Sequence, residues 1–349
     1  MHQTRYFFLS IVLLAGLFIP FEAIFAQSGG FTGSFSRIGF GPRGMAMGNA
    51  LTAVHHEGAY GYYNPAFAAT PNDFVQLDLS SSAMAFDRQL HMVTAQFQLP
   101  PSAGISVSLI NGRVGDIDGR TQSGYHTETF STNEYQLLTN FGIRFTDTFW
   151  GGVGIKVNLA DFHSDVSTET SIGLDAGLYK QAGKFGLGVA IQDLFAKTNY
   201  DTSDLFGSTT GGARSDSYPT RFKLGVSYEH SSDLLLSADY EVQVLSSETK
   251  SFETELFGGR PVTSAVRSDV TTNSQIGRLG ARYRIHPRIT IRSGIEAVDL
   301  NHDTFSVQPT AGFSLHLPYD RLSPAIDYAF VREPSNISTM HVFSIRLQI

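Results

Sequence analysis

Residues 234–244 read LLLSADYEVQV. Leu234, Leu236, Ala238, Tyr240, Val242 and Val244 share one parity, and Leu235, Ser237, Asp239, Glu241 and Gln243 share the other. Side chains of a strand point alternately to opposite faces, so this stretch predicts a strand with one apolar and one mainly polar surface. The split recurs. Val153, Ile155, Val157 and Leu159 oppose Gly154, Lys156 and Asn158. Leu279, Ala281, Tyr283 and Ile285 oppose Arg278, Gly280, Arg282 and Arg284. Ile289, Ile291, Ile295 and Ala297 oppose Thr290, Arg292, Gly294 and Glu296, with Ser293 a polar intruder among the apolar residues. Phe343, Ile345, Leu347 and Ile349 oppose Ser344, Arg346 and Gln348.

About fourteen such runs are expected, near 74–82, 90–99, 103–112, 134–146, 149–161, 169–181, 185–196, 220–231, 234–245, 276–286, 288–299, 305–317, 322–332 and 341–349. Tight joins (Leu99 to Ala103, Thr146 to Phe149, Gln181 to Phe185, Ser231 to Leu234, His286 to Arg288) alternate with polar stretches read as long loops, the largest being 113–133, 197–219 and 246–275. Short turns at one end and long loops at the other are the pattern of an outer-membrane barrel. The fold expected is therefore all-β, a transmembrane antiparallel barrel of about fourteen strands.

Composition supports that reading over a secreted sandwich or propeller. Charged residues are 16% of the 349, against roughly 25% in a soluble domain. Hydrophobic residues are 42%, and beyond the N-terminus no run approaches the roughly 20 apolar residues of a spanning helix. A propeller should show an internal repeat, and none is found. A sheet that spans lipid must close, because lipid offers no partner to an open edge. The formal charge of −7 argues against nucleic acid as a partner, and the absence of Cys excludes disulfides and Cys-ligated metal sites.

The first residues read as a leader. Met1 to Arg5 is short and basic, Phe7 to Ile19 is apolar, Pro20 breaks the run, and Ala26 offers a small residue for cleavage. The domain division expected is 1–26 signal peptide, 27–72 N-terminal hatch segment, and 73–349 barrel.

The hatch segment is the part that is not a strand. Arg37 to Thr70 reads RIGFGPRGMAMGNALTAVHHEGAYGYYNPAFAAT. Gly39, Gly41, Pro42, Gly44 and Gly48 would interrupt a ladder, whereas small residues let backbone fold tightly and pack close to a wall. Asn64 can bond backbone two residues on and Pro65 fixes φ, so together they suit a tight turn where the segment leaves the lumen.

The run GPRGMAMGNALTAV, followed by YYNPA and then alternating strands, resembles the PorV/PorQ family of outer-membrane proteins, itself similar to the FadL-type transporters of hydrophobic compounds. The matching positions are Gly44, Met47, Gly48, Ala50, Ala53 and Val54, then Asn64, Pro65 and Ala66. Members often carry acidic residues in the gap, where this chain has His55, His56 and Glu57. The resemblance implies a fourteen-stranded barrel with an N-terminal hatch. It also implies two non-enzymatic roles at the outer membrane of a Gram-negative-type bacterium. One is an accessory to type IX-like protein secretion, with exported cargo or secretion components as partners. The other is a transporter of fatty acids or other hydrophobic compounds. A structural or adhesion barrel with a closed lumen is the reading from a different class.

Other motifs carry little. Gly39 to Gly44 matches G-x-G-x-x-G but lacks the strand–helix context of a dinucleotide site, so no cofactor is expected. His55-His56-Glu57 lacks the spacing of a helical zinc site and reads as a polar turn, with no metal. Asp116-Ile117-Asp118-Gly119 lacks the later ligands of a calcium loop and reads as an exposed turn. No serine and histidine pair is legible on strand exteriors, so no enzyme is expected. Lumen charges are expected at Lys156, Glu229, Asp239, Glu241, Arg278, Arg282, Arg284, Arg292, Glu296, Asp327 and Arg346. Buried charges need partners, so these should pair within the wall and with the hatch, or else line a path for an amphipathic ligand.

Overall fold

The computed structural model describes residues 32–58, 61–71, 75–206, 213–257, 260–301, 305–317, 323–333 and 338–348, and the expected leader at 1–26 lies outside them. The strands are β1 (Gln76–Ala83), β2 (Arg88–Leu99), β3 (Ala103–Arg120), β4 (His126–Thr146), β5 (Phe149–Asp161), β6 (Ser167–Thr168), β7 (Ser171–Ala182), β8 (Phe185–Leu194), β9 (Lys197–Asp201), β10 (Ala213–Ser217), β11 (Thr220–Glu229), β12 (Leu234–Phe257), β13 (Arg260–His286), β14 (Ile289–Val298), β15 (Ser306–His316), β16 (Ala325–Arg332) and β17 (Thr339–Gln348). Among the described residues, fourteen of them close an antiparallel barrel; β6, β9 and β10 form a separate small sheet. The barrel shuts where β1 pairs with β17, from Gln76 opposite Gln348 to Ala83 opposite His341. Each of the fourteen expected runs corresponds to a barrel strand.

The faces follow the period-two pattern. On β12, Leu236 and Tyr240 are exposed outward, while Leu235, Asp239 and Glu241 are buried within. On β5, Val153, Ile155 and Leu159 are exposed, and Lys156 and Asn158 are buried. Large apolar side chains outside and polar ones inside invert the arrangement of a soluble protein and match a wall that meets lipid.

The expected loops 113–133 and 246–275 are corrected: most of each is strand. β3 and β4 run for 18 and 21 residues, and β12 and β13 for 24 and 27, the last pair in register from Leu234 opposite Tyr283 to Phe257 opposite Arg260. The Ser, Thr and Asp content of these stretches carries no apolar alternation and so reads as loop in the sequence. Within β3, Asp118 is no turn residue of a loop but pairs with Arg120 two residues along its own strand and with His126 across the hairpin, both at 2.6 Å. The expected loop 197–219 likewise contributes β9 and β10.

The short connections β2–β3, β4–β5, β7–β8, β11–β12 and β13–β14 fall at one end of the barrel. Gln76 and Gln348, the outer limits of the wall, lie at that same turn end.

Candidate functional site

Residues 32–71 form an inner segment. It contains a 3₁₀ turn at Ser34–Arg37, a short helix α1 (Gly41–Ala46) and a second 3₁₀ turn at Pro65–Ala69. Pro42 stands in the first turn of α1, where the missing N–H costs nothing. Asn64 caps the last turn, its Oδ1 accepting from Ala66 N at 3.1 Å with Pro65 pre-setting φ. The same Asn64 reaches outward: its Nδ2 donates to Thr52 O and to Leu178 O on β7, each at 3.0 Å.

The segment touches the wall on every side. Arg43 pairs with Asp78 on β1 at 2.6 Å, and Gln96 on β2 donates to Ala68 O at 3.1 Å. The Pro65–Ala69 turn packs on β3, β4, β5 and β7. Gln192 on β8 donates to Tyr62 O at 2.7 Å, and Ser227 on β11 to Ala53 O at 2.8 Å. Asp239 on β12 accepts from Thr52 N at 2.8 Å. Glu57 pairs with Arg282 on β13 and Arg292 on β14. Thr310 on β15 donates to Ala46 O at 3.0 Å, Arg43 reaches Asp327 on β16 at 3.5 Å, and α1 packs on β17. A segment in contact with all fourteen staves can only lie inside the barrel.

Close approach is made possible by wall glycines. A Cβ at Gly188 would sit 2.0 Å from Thr52 O, at Gly104 2.1 Å from Ala68 O, at Gly294 2.2 Å from the Met47 carbonyl carbon, and at Gly152 2.4 Å from Pro65 O. Each is inside the contact distance of any real side chain, so these strands lack side chains where the inner backbone lies against them. The segment has its own requirement at Gly48, whose φ is +61° and whose added Cβ would meet Ile295 backbone at 2.8 Å. Gly44 faces the Tyr63 ring, 2.3 Å from its hydroxyl for an added Cβ. Met47 is fully buried in the core with Phe40, Met45 and Leu51.

The interior charges form three groups. Lys156 bridges Asp175 (2.9 Å) and Asp193 (2.6 Å), and Arg221 meets Asp193 at 2.8 Å. Arg278 bridges Glu241 (2.6 Å) and Glu296 (2.5 Å). The third group joins wall to inner segment: Glu57 holds Arg282 (3.0 Å) and Arg292 (2.6 Å), Arg292 donates to Ser314 at 2.6 Å, Ser314 to Asp327, and Arg43 spans Asp327 and Asp78. Burial pushes the Glu57 carboxyl up, but Arg292 and Arg282 outweigh it and hold the group well below the usual carboxylate range.

Of the residues singled out from sequence, Asp239, Glu241, Arg278, Arg282 and Arg292 all enter these contacts. Arg284 does not: it lies exposed at the turn end, paired with Asp233 at 3.0 Å. The face is right by parity, but the position is past the rim. Sequence reasoning missed Glu57 and Arg43 as the segment's ion-pair anchors, and Asp78, Asp175, Asp193 and Arg221 as wall partners. Glu57 had one available signal, its being the single acidic residue between Arg37 and Thr70. His55, read with it as a polar turn, instead packs on Trp150 and Tyr179 with ring centroids 4.8 and 5.3 Å away. Burial, with His56 alongside, lowers its pKa to about 3.

A cavity lined by Phe40, Gly41, Pro42, Arg43, Gly44, Glu57 and Asp78 has room for about one water molecule. No group of His, Cys, Asp or Glu among the described residues could hold a metal ion.

No protein-family model matches the chain, and no curated protein matches it. Solved structures do. The CymD monoaromatic hydrocarbon channel is 15% identical with a TM-score of 0.59, over 91% of this chain and 98% of that one. The P. putida toluene transporter TodX is 13% identical with a TM-score of 0.59, over 89% and 99%. A Pseudomonas aeruginosa FadL homologue is 14% identical with a TM-score of 0.59, over 88% and 97%. At these identities the likeness is one of fold, and the fold of this chain is the closed barrel shared by those hydrocarbon channels and the FadL homologue.

Proposed function

We propose that this chain spans the outer membrane of a Gram-negative-type bacterium and admits a small hydrophobic compound, with residues 27–72 acting as its hatch. The observation that carries this is the inner segment bound to all fourteen wall strands beneath an apolar exterior. Such a barrel is closed to ions and sugars yet holds its closing element by hydrogen bonds and ion pairs rather than by covalent bonds. The fold likeness to CymD, a monoaromatic hydrocarbon channel, and to TodX, a toluene transporter, supports the hydrophobic substrate class. The test is uptake of labelled toluene and of a labelled long-chain fatty acid by cells that carry the chain in place of their own transporters. Saturable uptake of either supports the proposal; rates equal to empty-vector cells contradict it.

The secretion-accessory reading rests on the motif at Gly44 to Ala66, and the fold likenesses add nothing to it. Exported proteins cross-linked to the purified outer-membrane protein would favour it.

A further inference from the structure

The β1–β2 hairpin makes a pair that the sequence does not advertise. Ser81 Oγ and His91 Nδ1 lie 3.1 Å apart, ten residues distant in the chain but opposite each other in register. Both are exposed on the outer, apolar face of the wall. Asn111 on β3 is the register partner of His91 on its other side. Residues directly opposite on neighbouring strands have Cβ atoms about 4.5–5.5 Å apart, so a serine, a histidine and an amide form one continuous row. The Asn111 Nδ2 donates to Glu134 O at 3.2 Å.

The rows above and below set the depth. One step toward the turn end, the same strands carry Leu137, Leu109, Val93, Leu79 and Ile345, all apolar. One step toward the loops they carry Asn133, Arg113, Gln89, Ala83 and His341, mostly polar. The Ser–His–Asn row thus lies between an apolar row and a mostly polar one on these strands, as a site at the level of a membrane lipid's acyl esters requires. Arg113, exposed about 7 Å above, stands where that lipid's phosphate would lie.

We propose that Ser81, His91 and Arg113 form a lipid-facing site that hydrolyses the acyl ester of a phosphate-bearing membrane lipid, with Asn111 a positioning residue for His91. His91 Nδ1 takes the Ser81 hydroxyl proton as Oγ bonds to the acyl carbon. The ester C–O bond breaks, and the leaving alcohol takes the proton from His91. Water then adds its oxygen to the acyl carbon as His91 takes its proton, the acyl carbon–Oγ bond breaks, His91 returns that proton to Ser81 Oγ, and free fatty acid and deacylated lipid depart. Asn111 would accept from Nε2–H and hold the tautomer that presents Nδ1 as base. This site needs the membrane placement proposed above but not the transport role, since it lies on the opposite face of the wall from the lumen.

The test uses the full-length protein, folded in detergent and reconstituted, with vesicles of labelled phosphatidylethanolamine in one arm and of labelled lipid A in the other. Fatty acid release in either arm is expected, and which arm responds identifies the lipid. Ser81→Ala and His91→Ala should each lower release by roughly 10²-fold or more, and a fluorophosphonate should label the parent protein but not Ser81→Ala. Asn111→Ala should lower kcat with KM unchanged, whereas Arg113→Ala should raise KM with kcat unchanged. Release at the protein-free rate in both arms with Ser81 unlabelled, from a barrel that migrates as folded on a gel, would overturn the proposal. So would release that survives Ser81→Ala.

Discussion

Arg282 and Arg292 stand directly opposite each other in the register of β13 and β14, and both donate to the carboxylate of Glu57. Two like charges side by side on a sheet repel. The wall is therefore electrostatically incomplete there until the inner segment supplies its anion. Replacing Glu57 with Gln should leave two buried guanidiniums unneutralised and cost about 3–5 kcal/mol of docking. Limited proteolysis checks this: the inner segment should become cleavable in Glu57→Gln while the barrel stays heat-modifiable. A segment as protected as in the parent would show that the ion pair does not hold it.

The glycine cradle gives a steric version of the same experiment. Ala at position 188 places a methyl where Thr52 O now lies, 2.0 Å from the added carbon. An alanine is tolerated by the strand itself, so the barrel should fold and the inner segment should shift. Larger single-channel conductance at unchanged barrel yield is expected; a parent-like trace would mean the wall, not the segment, gives way.

Acid should loosen the same contact. The Glu57 pKa is depressed in the docked state, and His55 is held at about 3 against 6.5 when free. Undocked, both groups bind more protons at mildly acid pH, so docking is fully stabilised above about pH 6.5 and weakens as pH falls from there toward 3. Protease access to the inner segment should rise through that window and should rise less in His55→Phe, which cannot titrate. Access independent of pH would contradict the sign.

The outer face has its own test. Ile291 is exposed on the apolar side of β14 and points away from Glu57. Ile291→Arg should destabilise the barrel in lipid by roughly 2–4 kcal/mol if it lies near mid-membrane. A folding titration into vesicles reads this directly, and an unchanged midpoint would place Ile291 away from lipid.

The parts legible in the sequence were those set by local rules. Leu236 and Tyr240 against Asp239 and Glu241 announce a two-faced strand, and Asn64-Pro65 announces a turn. Glu57 was not legible, because its partners Arg282 and Arg292 lie more than 220 residues away and only barrel closure brings them near. The roles of Gly188 and Gly294 were not legible either, because only the inner backbone lying against them requires a glycine there. The outer part of the β12–β13 hairpin was hidden because its sequence, rich in Ser, Thr and Asp, shows no apolar parity. Ser81 and His91 were hidden because their meeting depends on a register that no single strand reveals.

The proposed hatch, by filling the lumen, should block ion flow, and conductance in planar bilayers, compared between the parent protein and one lacking residues 37–66, reads this without an intermediary. A near-silent parent and a steadily open deletion are expected; equal conductance from two well-folded barrels would show that the inner segment does not close the lumen.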